Sequence, residues 1–216
     1  MKFLARSLAL LALLTLNVAA EEADDSPKKA GLDYIAINAV LIDFQSIGNK
    51  YTAKNWATTF TMGSYITNYV KTEMRLGVGL TDDTVPGYIA RRDEDGDLIQ
   101  DESGANIIDA SNATIALNHF ASWYMGLHYP LAEWSSIYAQ IGMSYVNADA
   151  TAEPGSTWDD LPEDYPGSKF SMSWITGLDF KIVEDWYVTA EAGRLHRSTA
   201  SDIQTLQFGL GLKYEF

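Results

Sequence analysis

The chain has 216 residues, no cysteine and a formal net charge of −14 at pH 7. The lack of cysteine excludes a disulfide framework, thiolate catalysis and cysteine-ligated metal sites. The excess of acidic residues argues against nucleic-acid binding, which requires a basic surface.

The amino terminus has the pattern of a secretory signal peptide. Lys2 and Arg6 precede an apolar run that ends at Leu16, and small residues follow up to Ala20. The run is too short for a spanning helix, which needs about 20 apolar residues. We therefore predict that residues 1–20 are removed on export. The remaining chain has 13 basic and 29 acidic residues, a net charge of −16.

Eight segments then alternate apolar and polar residues with a period of two, which is typical of strands with one apolar face. Short turns and long polar loops alternate between them, and the two long acidic loops comprise residues 81–111 and 147–168. The predicted strands are residues 33–44, 56–67, 70–80, 112–129, about 136–146, 170–182, 186–198 and 202–216. The fourth strand places Ile115 and Leu117 on its apolar face together with Trp123.

The last strand carries the clearest alternation. Large apolar or aromatic residues occupy every even position from Phe208 to Phe216, with Gly, Lys and Glu between them. Lipid-facing and lumen-facing residues alternate in this way around a transmembrane barrel. Aromatic residues collect near the short turns and predict a girdle at one membrane interface; they are Tyr65, Tyr69, Tyr129, Trp134, Trp186, Tyr187, Tyr214 and Phe216.

With this signal peptide, these eight strands and the closing Gly211…Tyr214-x-Phe216 pattern, the chain resembles the small OmpA-like outer-membrane β-barrel family. The resemblance implies an all-β, eight-stranded, antiparallel, up-and-down transmembrane β-barrel over residues 31–216, after a short periplasmic segment of residues 21–30. It also implies that Gly211, Tyr214 and Phe216 form the signal read by the barrel-assembly machinery. A soluble exported β-sandwich is the competing fold class.

The resemblance further implies a location and partners. We expect a monomer in the outer membrane of a Gram-negative cell, in contact with membrane lipid and lipopolysaccharide. No contact with nucleic acid is expected.

Eight strands enclose a space just wide enough for side chains to fill it. Alternation directs a set of mostly charged residues into this lumen: Lys71, Glu73, Arg75, Asp179, Lys181, Glu191, Lys213 and Glu215, with Asn118, Tyr124 and Gln207. Buried charges need partners, so we predict a salt-bridged polar plug around Lys71, Glu73, Arg75 and Glu191. A narrow or gated ion path is the alternative.

The first long loop contains Asp93, Asp95, Asp97 and Asp101, which have the carboxylate spacing of a calcium loop. The pattern departs from an EF-hand, because Leu98 and Gly104 stand where Gly and Glu are required. A hairpin with an Asp-Gly turn explains the same residues. We favour the hairpin and expect no cofactor, with Ca²⁺ as the alternative.

One constellation could carry catalysis. His196 and Ser198 lie near the outer end of the seventh strand, and Asp202 begins the eighth. Alternation puts all three on the lipid-facing side, and the His-x-Ser pair is similar to that of outer-membrane lipid A deacylases. Thr199 replaces the usual Asn, and no Glu follows before Glu215 at the opposite end.

The sequence thus predicts a membrane barrel more firmly than a function. We expect a structural, surface-interaction or adhesion role through the acidic extracellular loops, without catalysis. A low-conductance pore and a lipid A deacylase are the alternatives.

Overall fold

The computed structural model describes residues 28–47, 51–158, 164–165, 169–197 and 204–216. The predicted signal peptide lies outside the described residues, as do Ser198 and Asp202. Within the described residues, no helix is long and apolar enough to cross a membrane.

The described chain forms an eight-stranded closed antiparallel barrel, which confirms the predicted fold class. Four short extra strands lie outside the ring: β4 (Asp82–Val85), β5 (Tyr88–Ala90), β6 (Ile108–Ala110) and β9 (Asp164–Tyr165). The barrel strands are β1 (Asp33–Ile47), β2 (Tyr51–Tyr65), β3 (Val70–Gly79), β7 (Ala113–Ala132), β8 (Ser135–Thr151), β10 (Phe170–Val183), β11 (Trp186–Arg197) and β12 (Gln204–Glu215). The ring closes where β12 pairs with β1, from Tyr34 opposite Glu215 to Gln45 opposite Gln204.

The outer surface carries an apolar band. Met74, Leu210 and Ile141 are each more than 60% exposed, as expected of side chains that face lipid. The band ends sharply on the side of the long loops, which is the extracellular side in outer-membrane barrels. At the edge of the band Leu41 pairs with Trp56. The next pair of outward-facing residues, farther from the membrane, is Asp43 with Lys54. The strands therefore continue beyond the membrane with a polar outer face.

The interior has two layers. The periplasmic half is polar and charged, whereas the extracellular half is an apolar core of buried side chains contributed by most of the strands. This core includes Ile42, Phe44, Ile115, Leu117, Phe120, Val146, Leu195 and Trp158. The upper part of the barrel is thus packed like a soluble protein.

The prediction that Ile115 and Leu117 face lipid is wrong. The register of β7 against β8 shifts between Leu117 and His119, and such a bulge reverses the alternation of side chains. Both residues therefore point inward, and Asn118, predicted to face the lumen, is exposed instead.

Several strands are longer than predicted. β7 and β8 stay paired up to Thr114 opposite Thr151, well into the predicted loop that begins at residue 147. The inward residues there are Val146, Ala148 and Ala150, which join the apolar core. Small alanines between polar residues give a weak strand pattern, which explains why the extension was not predicted.

The predicted girdle needs a correction as well. Tyr65 and Tyr187 are buried in the lumen, because they occupy inward positions, whereas Tyr129, Trp134 and Trp186 are exposed at the periplasmic edge. At this edge the rings form contacts that include Tyr69–Tyr129, Trp134–Phe180 and Trp186–Tyr214. A second aromatic group, Trp56, Tyr145 and Phe170, lies at the extracellular edge.

Large inward rings lie against glycines on neighbouring strands. A Cβ atom on Gly63 would come within 2.1 Å of Tyr34 Cζ, and one on Gly77 within 2.3 Å of the Phe120 ring. The narrow barrel can hold these aromatic side chains only because the facing positions are empty.

We expect Gly63→Ala to lower the free energy of unfolding by about 1–3 kcal/mol, since the new methyl group overpacks the site and displaces Tyr34. Urea unfolding in lipid vesicles, followed by tryptophan fluorescence, measures this. Ser64→Ala, one residue away on the outward face, is the control and should unfold like the wild type. Equal stability of Gly63→Ala and wild type would contradict the packing argument.

Candidate functional site

The centre of the lumen contains a buried arginine held between two glutamates. Arg75 binds Glu191 through both terminal nitrogens, with Nη1–Oε1 and Nη2–Oε2 distances of 2.5 and 2.9 Å. Its Nε donates to Glu73 Oε1 at 2.6 Å. The Tyr34 hydroxyl donates to Glu73 at 2.5 Å, and the Tyr138 hydroxyl donates to Glu191 at 2.9 Å. Paired and hydrogen-bonded charges of this kind can persist out of water.

Lys71 belongs to the same cluster. Its Nζ lies 3.5 Å from Glu73 Oε2 and 3.5 Å from the centroid of the Tyr138 ring. The structure therefore brings Lys71, Glu73, Arg75 and Glu191, the four residues predicted for the plug, into one network.

The lower layer is built around Lys213. Its Nζ lies 2.5 Å from Asp179 Oδ2 and 3.0 Å from Glu215 Oε1. The Tyr65 hydroxyl also donates to Glu215, at 2.7 Å. These carboxylates and hydroxyls occupy the floor of the barrel, next to its periplasmic opening.

Lys29, which precedes the first strand, closes this floor. Its Nζ forms an ion pair with Glu215 and donates to the Tyr187 hydroxyl at 2.9 Å. Its backbone N–H donates to Asn68 Oδ1 at 3.0 Å, which fixes the segment against the β2–β3 turn. The sequence pattern did not single out Lys29, because no strand alternation extends to it.

With Lys29 included, the charges of the described lumen balance. Four cations, Lys29, Lys71, Arg75 and Lys213, face four anions, Glu73, Asp179, Glu191 and Glu215. Lys181, also predicted to face the lumen, is exposed, because it lies at the periplasmic end of β10, beyond the enclosed part of the barrel.

The three residues of the predicted assembly signal lie on β12 and at its end. A Cβ atom on Gly211 would come within 1.7 Å of Asn38 Oδ1, so this position has room only for glycine. Tyr214 and Phe216 stack with ring centroids 6.0 Å apart at the periplasmic edge. Gly211 thus also has a packing role at the β1–β12 seam.

The extracellular side carries an ordered structure built from the two long loops, which we call the head (residues 82–111 and 152–158). In its outermost part the chain folds back twice. Asp93–Asp97 and Asp101–Ala105 form two turns with the same hydrogen bonds, Asp93 accepting from the N–H groups of residues 95 and 97 and Asp101 from those of residues 103 and 105.

The two turns come from an eight-residue repeat, Asp-Glu-x-Gly-x-x-Ile-x, that begins at Asp93 and again at Asp101. Gly96 and Gly104 have φ angles of 89° and 81°, which favour glycine. The repeat is the sequence signal for two turns, whereas a single Asp-Gly turn predicts only one hairpin.

Hydrogen bonds hold the head together, and the packing of Trp158 attaches it to the barrel. Tyr88 and Thr157 exchange bonds of 3.1 and 2.9 Å between the two loops. Trp158 inserts into the apolar core, and its Nε1 donates to the Pro86 carbonyl at 3.1 Å. The apolar interior is therefore closed on its extracellular side by residues of the head.

The four aspartates considered for calcium have different surroundings in the head. Asp93 and Asp101 accept backbone N–H groups of their own turns, and Asp95 and Asp97 are exposed. Hydrogen bonds from the Ser103 hydroxyl and from backbone N–H groups lower the pKa of Asp101. In the described part of the chain, no three metal-ligating side chains converge.

The lipid-facing position predicted for His196 is wrong. The register of β11 against β12 shifts between Arg194 and His196, and His196 is fully buried inside the barrel. A bulge at Leu195 causes the change, since two successive residues then point inward. The structure thus places the imidazole away from the outer surface, where a lipid substrate would lie.

We predict that Glu191→Gln lowers the free energy of unfolding by about 3–5 kcal/mol, because Arg75 then loses the charge of one of its two carboxylate partners in a buried site. Glu133→Gln, an exposed residue of a periplasmic turn, is the matched control and should change little. Urea titration in vesicles measures both, and equal effects of the two variants would refute the role given to the network.

Lys29→Met should also destabilise the barrel, by about 1–3 kcal/mol, because Glu215 loses one of its two cationic partners. Lys28→Met removes the same charge from an exposed neighbour and should unfold like the wild type. The temperature at which the unboiled gel band converts to the boiled form measures the difference. If both variants convert at the same temperature, Lys29 does not stabilise the floor.

The chain matches the family model of the outer membrane protein beta-barrel domain over residues 7–216. No curated protein sequence matches it.

Among solved structures, Ail, the attachment invasion locus protein of Yersinia pestis, is similar with a TM-score of 0.51 and 15% identity, over 87% of this chain and 99% of Ail. Ail has also been crystallised with the heparin analogue sucrose octasulfate. Neisserial surface protein A gives a TM-score of 0.51 and 11% identity, over 86% and 99% of the two chains. These identities support a likeness of fold alone, whereas the family match covers nearly the whole sequence: the chain belongs to the outer membrane protein β-barrel domain family.

Proposed function

We propose that this protein is a closed, non-catalytic barrel of the Gram-negative outer membrane that holds an acidic head outside the cell for surface interaction. The filled lumen carries this proposal. A charge-balanced network occupies the periplasmic half, and an apolar core closed by Trp158 occupies the extracellular half. Because the described residues fill both halves of the lumen, the head is the part that can meet a partner.

The head favours a basic partner. Its outermost turns expose Asp93, Glu94, Asp95, Asp97, Asp101 and Glu102. Nearby, Arg91 is paired with Asp109 at 2.5 Å, so its charge is compensated. Ail has been crystallised with a polyanion, and a head of this sign would repel such a ligand. We therefore propose a cationic surface or peptide as the partner of this protein.

The order of the head supports the same function. The hydrogen bonds between Tyr88 and Thr157 hold the loops in one arrangement before any partner arrives. A preorganised surface loses less conformational entropy on binding than a mobile one.

A surface role of this kind requires export and insertion into the outer membrane. We propose that it is exported by a signal peptide cleaved near Ala20, inserted by the barrel-assembly machinery and active as a monomer in contact with lipopolysaccharide.

The charge of the head can be removed without changing its turns. Glu94→Gln, Asp95→Asn, Asp97→Asn and Glu102→Gln together leave the structural Asp93 and Asp101 in place. We expect cells with this variant to bind a fluorescent oligolysine at least about tenfold more weakly than wild type at low salt, and high salt should abolish the difference.

A second variant tests the head as a unit. Replacing residues 91–107 by Asn-Gly joins Ala90 to Ile108, which already face each other in the β5–β6 pair, through a two-residue hairpin turn. It should lose oligolysine binding and keep the heat-dependent gel shift of a folded barrel. Wild-type binding by both variants would refute the proposed role of the head, and discrete channels of the wild type in planar bilayers would favour a pore instead.

A further inference from the structure

The bulge at Leu195 has a second effect on β11. In a regular strand, residues three positions apart point to opposite faces. Here Leu195 and His196 both point inward, so Arg194 and Arg197 become consecutive residues on the outer face. The bulge therefore places two arginines in succession along the outer face of the strand.

These two arginines differ from the others of the described chain. Arg75 and Arg91 bind carboxylates, and Arg92 donates to a backbone carbonyl. Within the described residues, neither Arg194 nor Arg197 has a carboxylate partner. Among the described residues, the terminal nitrogens of both side chains are thus the donors that remain for a ligand.

Their height on the barrel identifies the surroundings. Arg194 pairs with Trp174 on β10 and with Leu206 on β12, and Ala192, the next outward residue toward the membrane, pairs with Phe208. Trp174 and Phe208 belong to the lipid-facing band and are 42% and 48% exposed. The arginine pair therefore lies where the apolar band gives way to the polar rim, on the extracellular side.

We propose that Arg194 and Arg197 form a clamp for a phosphate group of an outer-leaflet glycolipid of the lipid A type. The planar guanidinium fork binds phosphate oxygens through two parallel hydrogen bonds. Acyl chains of the same lipid would lie on the band below, over Trp174 and Phe208. A free phosphate ion could use only the first of these contacts, which is why the lipid is the ligand.

The clamp also offsets electrostatic repulsion between the acidic protein and the lipid surface. The chain without its signal peptide carries 29 acidic and 13 basic residues, and a phosphorylated lipid surface repels an excess of negative charge. Two arginines at the lipid boundary give the barrel a local attractive contact. This site is separate from the head, so it does not depend on the partner proposed there.

The test uses purified full-length mature protein in phospholipid nanodiscs that contain a small fraction of bisphosphorylated lipid A. Lipid A retained per protein after detergent washing is counted by native mass spectrometry. We expect Arg194→Gln/Arg197→Gln to retain at most about one tenth of the lipid A that the wild type retains, because the variant loses charge-assisted hydrogen bonds. Arg194→Lys/Arg197→Lys should be intermediate, because lysine lacks the fork.

Two comparisons make the result decisive. Lys54→Gln/Lys181→Gln removes two exposed charges elsewhere on the barrel and should retain lipid A like the wild type. Dephosphorylated lipid A should be retained equally by wild type and the arginine variant. Equal retention of bisphosphorylated lipid A by wild type and Arg194→Gln/Arg197→Gln would overturn the proposal. An equally large loss of lipid A in Lys54→Gln/Lys181→Gln would overturn it as well. The heat-dependent gel shift verifies that each variant is folded.

Discussion

Closure of the sheet between β1 and β12 is the constraint on which the rest of this structure depends. In hydrocarbon every backbone N–H and C=O must be paired within the protein, and only a ring of strands leaves no edge. An eight-stranded ring is narrow, so its inward positions must fit together closely. The glycines at 63, 77 and 211 leave room for neighbouring side chains, and the polar groups inside must find partners among themselves. The lumen network is thus a result of closure rather than an independent feature.

The part of the molecule inside the membrane was predictable from sequence because period-two alternation is strong there. Met74, Ile141 and Leu210 face lipid while Glu73, Gln140 and Gly211 lie on the inner side, as alternation requires. The same rule also predicted Lys71, Glu73, Arg75 and Glu191 as neighbours. It could not predict which charges pair, since pairing depends on the register between strands that are distant in sequence.

The failures have physical causes that a single sequence does not reveal. Bulges at Asn118 and Leu195 invert the alternation, so Leu117 and His196 point inward instead of outward. Bulges are common at the rims of barrels, where they redirect side chains. Lys29 was missed because it acts from outside any strand. The head was only partly predicted, because its order comes from contacts between loops, such as that of Tyr88 with Thr157.

The ion pair between Lys29 and Glu215 joins two points that are far apart in the chain: Lys29 precedes the first strand, and Glu215 is the penultimate residue. Until the last strand pairs with the first, the floor of the barrel is not assembled around Glu215 and Lys213, and Lys29 has no carboxylate to bind. An incomplete ring would therefore carry several uncompensated charges into the bilayer, at a cost of several kcal/mol each. Partial insertion is penalised by electrostatics as well as by open edges, which makes assembly cooperative: a barrel missing one strand lacks much more than one eighth of its stability.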